Sequence, residues 1–281
     1  MKRSALALPF FTALAAVCLL APAAAQRSAP YRILISNDDG ARAPGLAALA
    51  QALKALGEVI VVAPSEVQSG KSHSVVTIDP VFREDITLAG GVKAIGLNTT
   101  PATTMFIALG NIVNPKPDLV VSGINRGYNL GYSVYRSGTV AGAREGAMHG
   151  IPSIAASLAE AGDPRDWPAA ARQVLAVARQ VKEHRLPAHT FLNVNVPAAP
   201  SGGYRGYQVT GQAMMLGGNE TFAEMKHPSG RTIYWSVYRE GVHAPQGTDI
   251  WAVENGYVSI TPMHVGEFDE KLADTIKAWF K

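Results

Sequence analysis

The chain has 281 residues, 47% of them hydrophobic and 17% charged, which is enough for one large domain or a domain with an appendage. Its 25 Lys and Arg and 22 Asp and Glu give a formal net charge of +3 without a long basic run. This balance argues against binding of a nucleic-acid polymer and for a small ligand. Because Cys18 is the only cysteine, removal of a signal peptide would exclude disulfides, thiolate metal ligands and a cysteine nucleophile.

Residues 1–25 have the layout of a secretory signal peptide. Two basic residues precede an apolar run over residues 5–20, and Ala23–Ala25 supplies small residues for cleavage. Cleavage near Ala25 would leave 23 basic against 22 acidic residues and no stable membrane anchor. We therefore expect an exported, periplasmic protein. A retained amino-terminal anchor is the alternative, which Pro9 inside the apolar run disfavours.

The first predicted strand, Arg32–Ser36, contains an apolar run that suits a strand buried on both faces of a parallel sheet. Asn37, Asp38 and Asp39 follow it, at the strand end where open α/β sheets place their chemistry. Adjacent carboxylates repel each other unless a cation lies beside them, so a divalent ion such as Mg²⁺ or Mn²⁺ is a natural partner. On these residues alone, an Asx-rich turn is the alternative.

A predicted helix at 45–56 and a second buried strand at 59–63 complete a right-handed βαβ unit of a parallel sheet. The loop 65–74 then leaves the same sheet edge as the two aspartates. Three of its serines can offer hydroxyls to a metal or a phosphate, with a solvated surface loop as the alternative. They are Ser69, Ser72 and Ser74.

Residues 75–96 are predicted as a β excursion and 99–113 as a helix, before the next buried strand at 119–122. That strand ends in SGIN, which brings Asn125 to the same edge of the sheet. The amide oxygen of Asn125 could complete a metal coordination sphere.

A helix is predicted at 140–149, and Ser137, Gly138 and Thr139 lie at its amino end. Free backbone N–H groups and the helix dipole favour an anion such as phosphate there. A Ser or Thr that caps the helix is the ordinary alternative.

A strand at 151–157, a helix at 167–183 and an edge or terminal strand at 191–196 complete the predicted α/β part. After residue 197, short strands are separated by glycine-rich loops, and a helix is predicted at 268–280. We expect this β-rich extension to complete the pocket or to pair with another subunit. The fold class is thus α/β, a parallel sheet with a β-rich C-terminal appendage.

The segments SNDDG, SGKSHS, SGIN and SGTV, in this order and spacing, resemble the motifs of the SurE (survival protein E) family of metal-dependent nucleotidases. The likeness extends over nearly the whole mature chain and includes GxNLG, NVNVP and TDIWAVENGYVSITP. It implies a Rossmann-like core at 26–197 with helices on both faces of the sheet. It also implies a C-terminal extension at 198–281 that forms homodimers or homotetramers.

The resemblance implies a phosphatase with one divalent metal ion, Mg²⁺ or Mn²⁺, that hydrolyses phosphate monoesters, chiefly nucleoside 5′- or 3′-monophosphates. The family's metal ligands correspond to Asp38, Asp39, Ser69 and Asn125. Asn37 joins the two aspartates in the predicted catalytic group. The predicted phosphate-binding residues are Ser72, Ser74, Ser137, Gly138 and Thr139.

The chain departs from the family pattern at Arg42, Tyr132, Ser133 and Arg136, and in the segment NTTPATT at 98–104. Arginines near an anion site suggest a shift toward more highly charged phosphate esters, with solvated surface arginines as the alternative. The same departures motivate a second functional hypothesis, an exported protein that binds metal and phosphate with little or no turnover. Attack by water and attack by Asp39 both remain open as reaction routes.

Overall fold

The computed structural model describes residues 29–159, 166–198, 203–216, 219–239 and 243–280. The predicted signal peptide at 1–25 and its cleavage point lie outside the described residues. Within the described part of the chain, no helix combines the length and the apolar composition needed to cross a membrane.

The described strands are β1 (Arg32–Ser36), β2 (Glu58–Pro64), β3 (Arg83–Thr87), β4 (Lys93–Leu97), β5 (Leu119–Arg126), β6 (Ser153–Leu158), β7 (Thr190–Val196), β8 (Tyr207–Val209), β9 (Asn219–Lys226), β10 (Thr232–Arg239) and β11 (Val258–His264). The described helices are α1 (Pro44–Leu53), α2 (Pro101–Ile107), α3 (Gly138–Met148), α4 (Trp167–His184), α5 (Asp249–Glu254) and α6 (Glu270–Lys277). Nine strands form one sheet in the order β3–β4–β2–β1–β5–β6–β7–β11–β8. The pairs from β4 to β7 in this order are parallel, which confirms the α/β fold class.

The sheet is covered by helices on both faces, and β1 shows why. Ile33 and Ile35 point to one face, where they pack in the cluster that contains Leu46 of α1 and Val174 of α4. Leu34 points to the other face and packs with Met105 of α2. All three side chains of this run are fully buried, as expected for a central parallel strand.

Two predictions about strands were wrong. β7 is not an edge strand, because it pairs with β6 on one side and with β11, antiparallel, on the other. β5 does not end at residue 122 but continues to Arg126 through an irregularity between Ser122 and Asn125. Both differences arise from pairing with strands that are distant in sequence, which the local pattern does not report.

The chain after residue 197 has two structural parts. β8 and β11 extend the central sheet, whereas β9 and β10 form a separate two-stranded antiparallel hairpin. The helix α6 at the end of the chain is amphipathic and contains no buried residue. The hairpin and α6 have large exposed apolar side chains, such as Trp235 and Leu272. These two elements are therefore the candidates for the predicted subunit interface.

Candidate active site

Asp38 is a buried carboxylate at the carboxyl end of β1, with only 3% of its surface exposed. Thr139 donates both its hydroxyl and its backbone N–H to this carboxylate. Desolvation raises the pKa of Asp38 to about 6, opposed by the hydrogen bonds from Thr139 and assisted by the negative charge of Asp39. At neutral pH Asp38 is therefore ionised at a cost in free energy, which a neighbouring cation would reduce.

The amino end of α3 is built around Asp38. Ser137 is the N-cap and accepts a hydrogen bond from the backbone N–H of Val140 at 3.1 Å, which confirms the capping alternative for this residue. A Cβ atom at Gly138 would lie 2.8 Å from the Cβ of Asp38 and 2.9 Å from its Oδ2, so no larger residue fits without a shift. The Ser-Gly-Thr sequence thus combines a cap, a close approach and a donor to Asp38.

Asn37 and Asp39 form the turn that follows β1. The Nδ2 of Asn37 donates to the carbonyl of Gly40 at 3.0 Å, which closes the turn through a side chain. Its buried Oδ1 has no hydrogen-bond partner among the described residues. Asp39 is only partly buried, and its Oδ2 accepts from the backbone N–H of Arg126 at 2.9 Å. Asp39 therefore joins the end of β1 to the end of β5.

The irregularity in β5 directs Asn125 into the site. A Cβ atom at Gly123 would lie 2.3 Å from the carbonyl oxygen of Ala156, so glycine allows β5 and β6 to approach closely here. Asn125 is nearly buried, and its Nδ2 donates to the carbonyl of Gly127 at 2.8 Å. This bond leaves the amide oxygen available to a ligand.

The loop 65–74 is fixed to the rest of the site by backbone contacts. The N–H of Gln68 donates to the carbonyl of Asp38 at 2.7 Å, which places Ser69 beside the aspartate. Ser72 donates its N–H to the carbonyl of Arg136 at 3.1 Å and its hydroxyl to the carbonyl of Tyr135. The carbonyl of Ser74 accepts from the hydroxyl of Thr100 at 2.6 Å, which joins the end of the loop to the start of α2.

A cavity of about 530 Å³ is lined by half of the ten predicted site residues. Its volume falls in the range of small-molecule sites. Five predicted residues line it, namely Asp38, Ser69, Ser72, Asn125 and Ser137. Gly138 and Thr139 do not line the cavity but contact Asp38, and Asn37, Asp39 and Ser74 lie outside its lining.

The arginines proposed to attract charged esters separate in the structure. Arg136 lines the cavity, as does Arg126, which the sequence did not single out. Arg42 instead forms a two-pronged ion pair with Glu84 of β3, with Nη2 and Oε2 at 3.0 Å. The expected contribution of Arg42 to the anion site was therefore wrong, because a strand distant in sequence supplies its partner.

Two asparagines of β7 position the loop that follows β5. Asn195 accepts from the backbone N–H of Asn129 at 2.9 Å, while Asn193 donates to the carbonyl of Asn129 at 2.7 Å. The Nδ2 of Asn129 in turn donates to Ser157 at 2.8 Å. All of these side chains are buried, and Asn129 also lines the cavity. The alternating asparagines of NVNVP were the sequence signal for this function, which the sequence prediction missed.

Asp249 is a second buried carboxylate, and it connects the cavity loop to the C-terminal extension. It is fully buried and accepts from the backbone N–H groups of Gly131, Ala213 and Ile250, each at 2.9 Å. Desolvation raises its pKa, while these three hydrogen bonds oppose the rise. This carboxylate binds backbone only, so its role is to hold three chain segments together.

The oxygen atoms around the cavity include ligands suited to a metal ion. Within the described ranges, no group of three or more His, Cys, Asp or Glu side chains could hold an ion. Asp38, Ser69 and Asn125 instead line one cavity with a carboxylate, a hydroxyl and an amide, and the neighbouring Asp39 is held to the end of β5 by the Arg126 N–H. Hard oxygen ligands of this kind suit Mg²⁺ or Mn²⁺, whose remaining positions are filled by water or substrate. A nearby cation would also reduce the free-energy cost of burying the Asp38 charge.

Another cavity of about 490 Å³ lies along α4, between Val177, Leu192 and Tyr207. Its lining is mostly apolar and includes none of the predicted site residues. Because it lacks convergent polar groups, it is a weaker candidate for catalysis than the cavity at Asp38.

Comparison with known proteins decides the family. The family model described as Survival protein SurE matches residues 33–217. The chain belongs to the SurE family. Similar proteins to this SurE chain include 5′-nucleotidase SurE 1 of Thermus thermophilus, 43% identical over 234 residues, which are 83% of this chain and 91% of the relative. The 5′-nucleotidase SurE of Geotalea daltonii is 39% identical over 249 residues, 88% of this chain and 98% of the relative.

A solved structure agrees with this assignment of the SurE chain. The crystal structure of the SurE protein from Aquifex aeolicus superposes with a TM-score of 0.78 at 38% sequence identity. The match covers 89% of this chain and 100% of the other. The α/β fold inferred from the sequence is therefore the fold of a solved SurE protein.

Proposed function

We propose that this SurE family member is a phosphoric monoester hydrolase that acts on nucleoside 5′- or 3′-monophosphates. The observation that carries the proposal is the cavity at the end of β1, where Asp38, Ser69 and Asn125 meet the amino end of α3. Two similar proteins are named 5′-nucleotidases, and they cover most of this chain. A volume of about 530 Å³ accommodates a small phosphate ester.

We infer that one divalent ion, Mg²⁺ or Mn²⁺, is held by Asp38, Asp39, Ser69 and Asn125. When bound, such an ion would lower the pKa of a bound water molecule and withdraw charge from a phosphoryl oxygen. The protein contributes orientation: Thr139 fixes Asp38, and the Arg126 N–H fixes Asp39. These contacts hold both carboxylates at the site before a ligand arrives, which lowers the entropic cost of binding.

The geometry supports attack by water over attack by Asp39. One carboxylate oxygen of Asp39 accepts from the backbone N–H of Arg126, and the proposed metal ion would engage the other. A nucleophilic carboxylate would need free access to phosphorus from within the cavity. Arg136 and Arg126 line the same cavity and add positive charge for the phosphoryl oxygens.

A phosphate-release assay tests the proposal. Nucleoside monophosphates, sugar phosphates and polyphosphate are offered to the mature protein with Mg²⁺, with Mn²⁺ and with a chelator. We expect release from nucleoside monophosphates that requires the added ion. Binding of Mn²⁺ and phosphate without release from any ester would favour the alternative, an exported binding protein of the same fold.

We further propose that residues 1–25 direct export to the periplasm and are then removed. For the mature chain we propose a homodimer or homotetramer. The exposed apolar side chains of the hairpin β9–β10 and of α6 support a subunit interface in the C-terminal extension.

A further inference from the structure

The hairpin β9–β10 contributes to the cavity although it lies outside the central sheet. Phe222 of β9 and Ser236 of β10 line the same cavity as Asp38 and Ser137. These two residues are cross-strand partners, so they lie on one face of the hairpin. The C-terminal extension therefore supplies one wall of a site whose polar residues come from β1, β5 and α3.

The two faces of the hairpin differ in their relation to the site. Side chains alternate between the faces of a strand, so Trp235, next to Ser236, lies on the face opposite Phe222. Phe222 is 67% exposed and Trp235 is 64% exposed. Phe222 and Trp235 are thus similarly exposed aromatic residues of one hairpin, but only Phe222 lines the cavity.

The lining of the cavity combines two kinds of side chain. Asp38, Asn125 and Ser137 supply oxygen ligands and hydrogen-bonding groups. Aromatic side chains supply much of the remaining wall, from Tyr128 and Phe222 among others. An ester with a charged phosphate and a leaving group that carries a planar, aromatic base is complementary to both kinds of side chain, because flat rings stack on aromatic side chains regardless of base identity.

We propose that Phe222 is a specificity-determining residue that stacks on the base of the nucleotide. This inference rests on the proposed function and extends it, since it assigns recognition of the leaving group to the hairpin. Phe222 carries no group that could move a proton or hold a metal ion. Its contact is therefore of similar strength in the ground state and the transition state, and its loss raises KM with little change in kcat.

The kinetic experiment compares Phe222→Ala with Trp235→Ala, the matched control on the other face. Adenosine 5′-monophosphate and glycerol 3-phosphate are used as substrates, because only the first has an aromatic leaving group. We expect Phe222→Ala to raise KM for the nucleotide about tenfold, the order of loss for one stacked aromatic side chain. Trp235→Ala, compared at a concentration at which ultracentrifugation gives the wild-type oligomer, leaves both KM values unchanged. Equal losses for the two esters, or an equal effect of Trp235→Ala, would overturn the inference.

Binding of adenosine separates a failure of this inference from a failure of the proposed function. Adenosine has no phosphate, so calorimetric titration reports the base contact even if no ester is hydrolysed. We expect adenosine to bind the wild type about tenfold more tightly than Phe222→Ala, with Phe222→Tyr retaining the affinity. Equal adenosine affinity in wild type and Phe222→Ala would overturn the stacking role, whatever the hydrolysis assay shows.

Discussion

Asp38→Asn should make the metal-free protein more stable while it removes metal binding. The pKa of Asp38 rises from 3.8 in the unfolded chain to about 6 in the folded one, chiefly by desolvation. Since one pKa unit corresponds to about 1.4 kcal/mol, the ionised carboxylate lowers the free energy of unfolding by about 3 kcal/mol. Asparagine is neutral, has nearly the same shape and keeps an oxygen that accepts from the Thr139 hydroxyl.

The pH dependence of this effect follows from the direction of the shift. Between pH 3.8 and about 6 the folded state holds a proton that the unfolded state has released, so wild-type stability falls as pH rises through this window. The asparagine variant has no such loss. In a chelator, the variant should therefore exceed the wild type by up to about 3 kcal/mol above pH 7, and the gap should shrink as pH falls toward 4.

Urea unfolding of wild type and variant, with chelator and with excess Mn²⁺, measures these differences. Saturation at 100 times the dissociation constant should stabilise the wild type by about 2.7 kcal/mol and the variant by almost nothing. Asp79→Asn is the matched control, because Asp79 is exposed. An asparagine variant at position 38 that is less stable than wild type in chelator at pH 8, or that still gains stability from Mn²⁺, would refute the reasoning.

Four further outcomes are expected. Gly138→Ala should lower kcat/KM by about tenfold or more, because its Cβ would displace Asp38. Gly110→Ala should not, because a Cβ there meets open space and the backbone has no positive φ; equal kinetics of the two variants would contradict the close approach. Arg136→Tyr should lower kcat/KM for a nucleoside bisphosphate more than for a monophosphate, by about tenfold for one lost charge-assisted contact; an unchanged ratio means that Arg136 does not select. Mass spectrometry of the native protein should place its first residue at or near Gln26, and a full-length chain would contradict export. Ultracentrifugation should show at least a dimer, reduced in mass by deletion of residues 219–239 or 267–281, and an unchanged oligomer in both deletions would count against the predicted interface.

Local sequence patterns were sufficient to predict the parallel sheet and the residues closest to Asp38. An apolar run before Asn37 predicts a buried strand, and parallel order places Ser69 and Asn125 at the same edge, as the cavity lining confirms. Thr139 lies at the amino end of α3, as predicted. Its hydroxyl donates to Asp38, however, whereas the sequence predicted a contact with phosphate. Motif order is informative here because successive parallel strands end side by side.

Contacts between distant segments account for the rest. Glu84 takes Arg42 away from the site, and the antiparallel pairing of β11 turns β7 into an interior strand. Phe222 reaches the cavity from the hairpin β9–β10, and the first strand of that hairpin was not predicted. Its sequence, NETFAEMK, has few apolar residues, because the hairpin is mostly exposed and carries no periodic core face.

The proposed function requires that the cavity at Asp38 releases phosphate only with a bound metal ion. Release of phosphate from adenosine 5′-monophosphate by the purified mature protein, with Mn²⁺ and with chelator, tests it most directly. The account predicts turnover that chelator abolishes, that added Mn²⁺ or Mg²⁺ restores and that Asp38→Asn lowers by orders of magnitude. Turnover that survives in chelator, or that persists at the wild-type rate in Asp38→Asn, would contradict it.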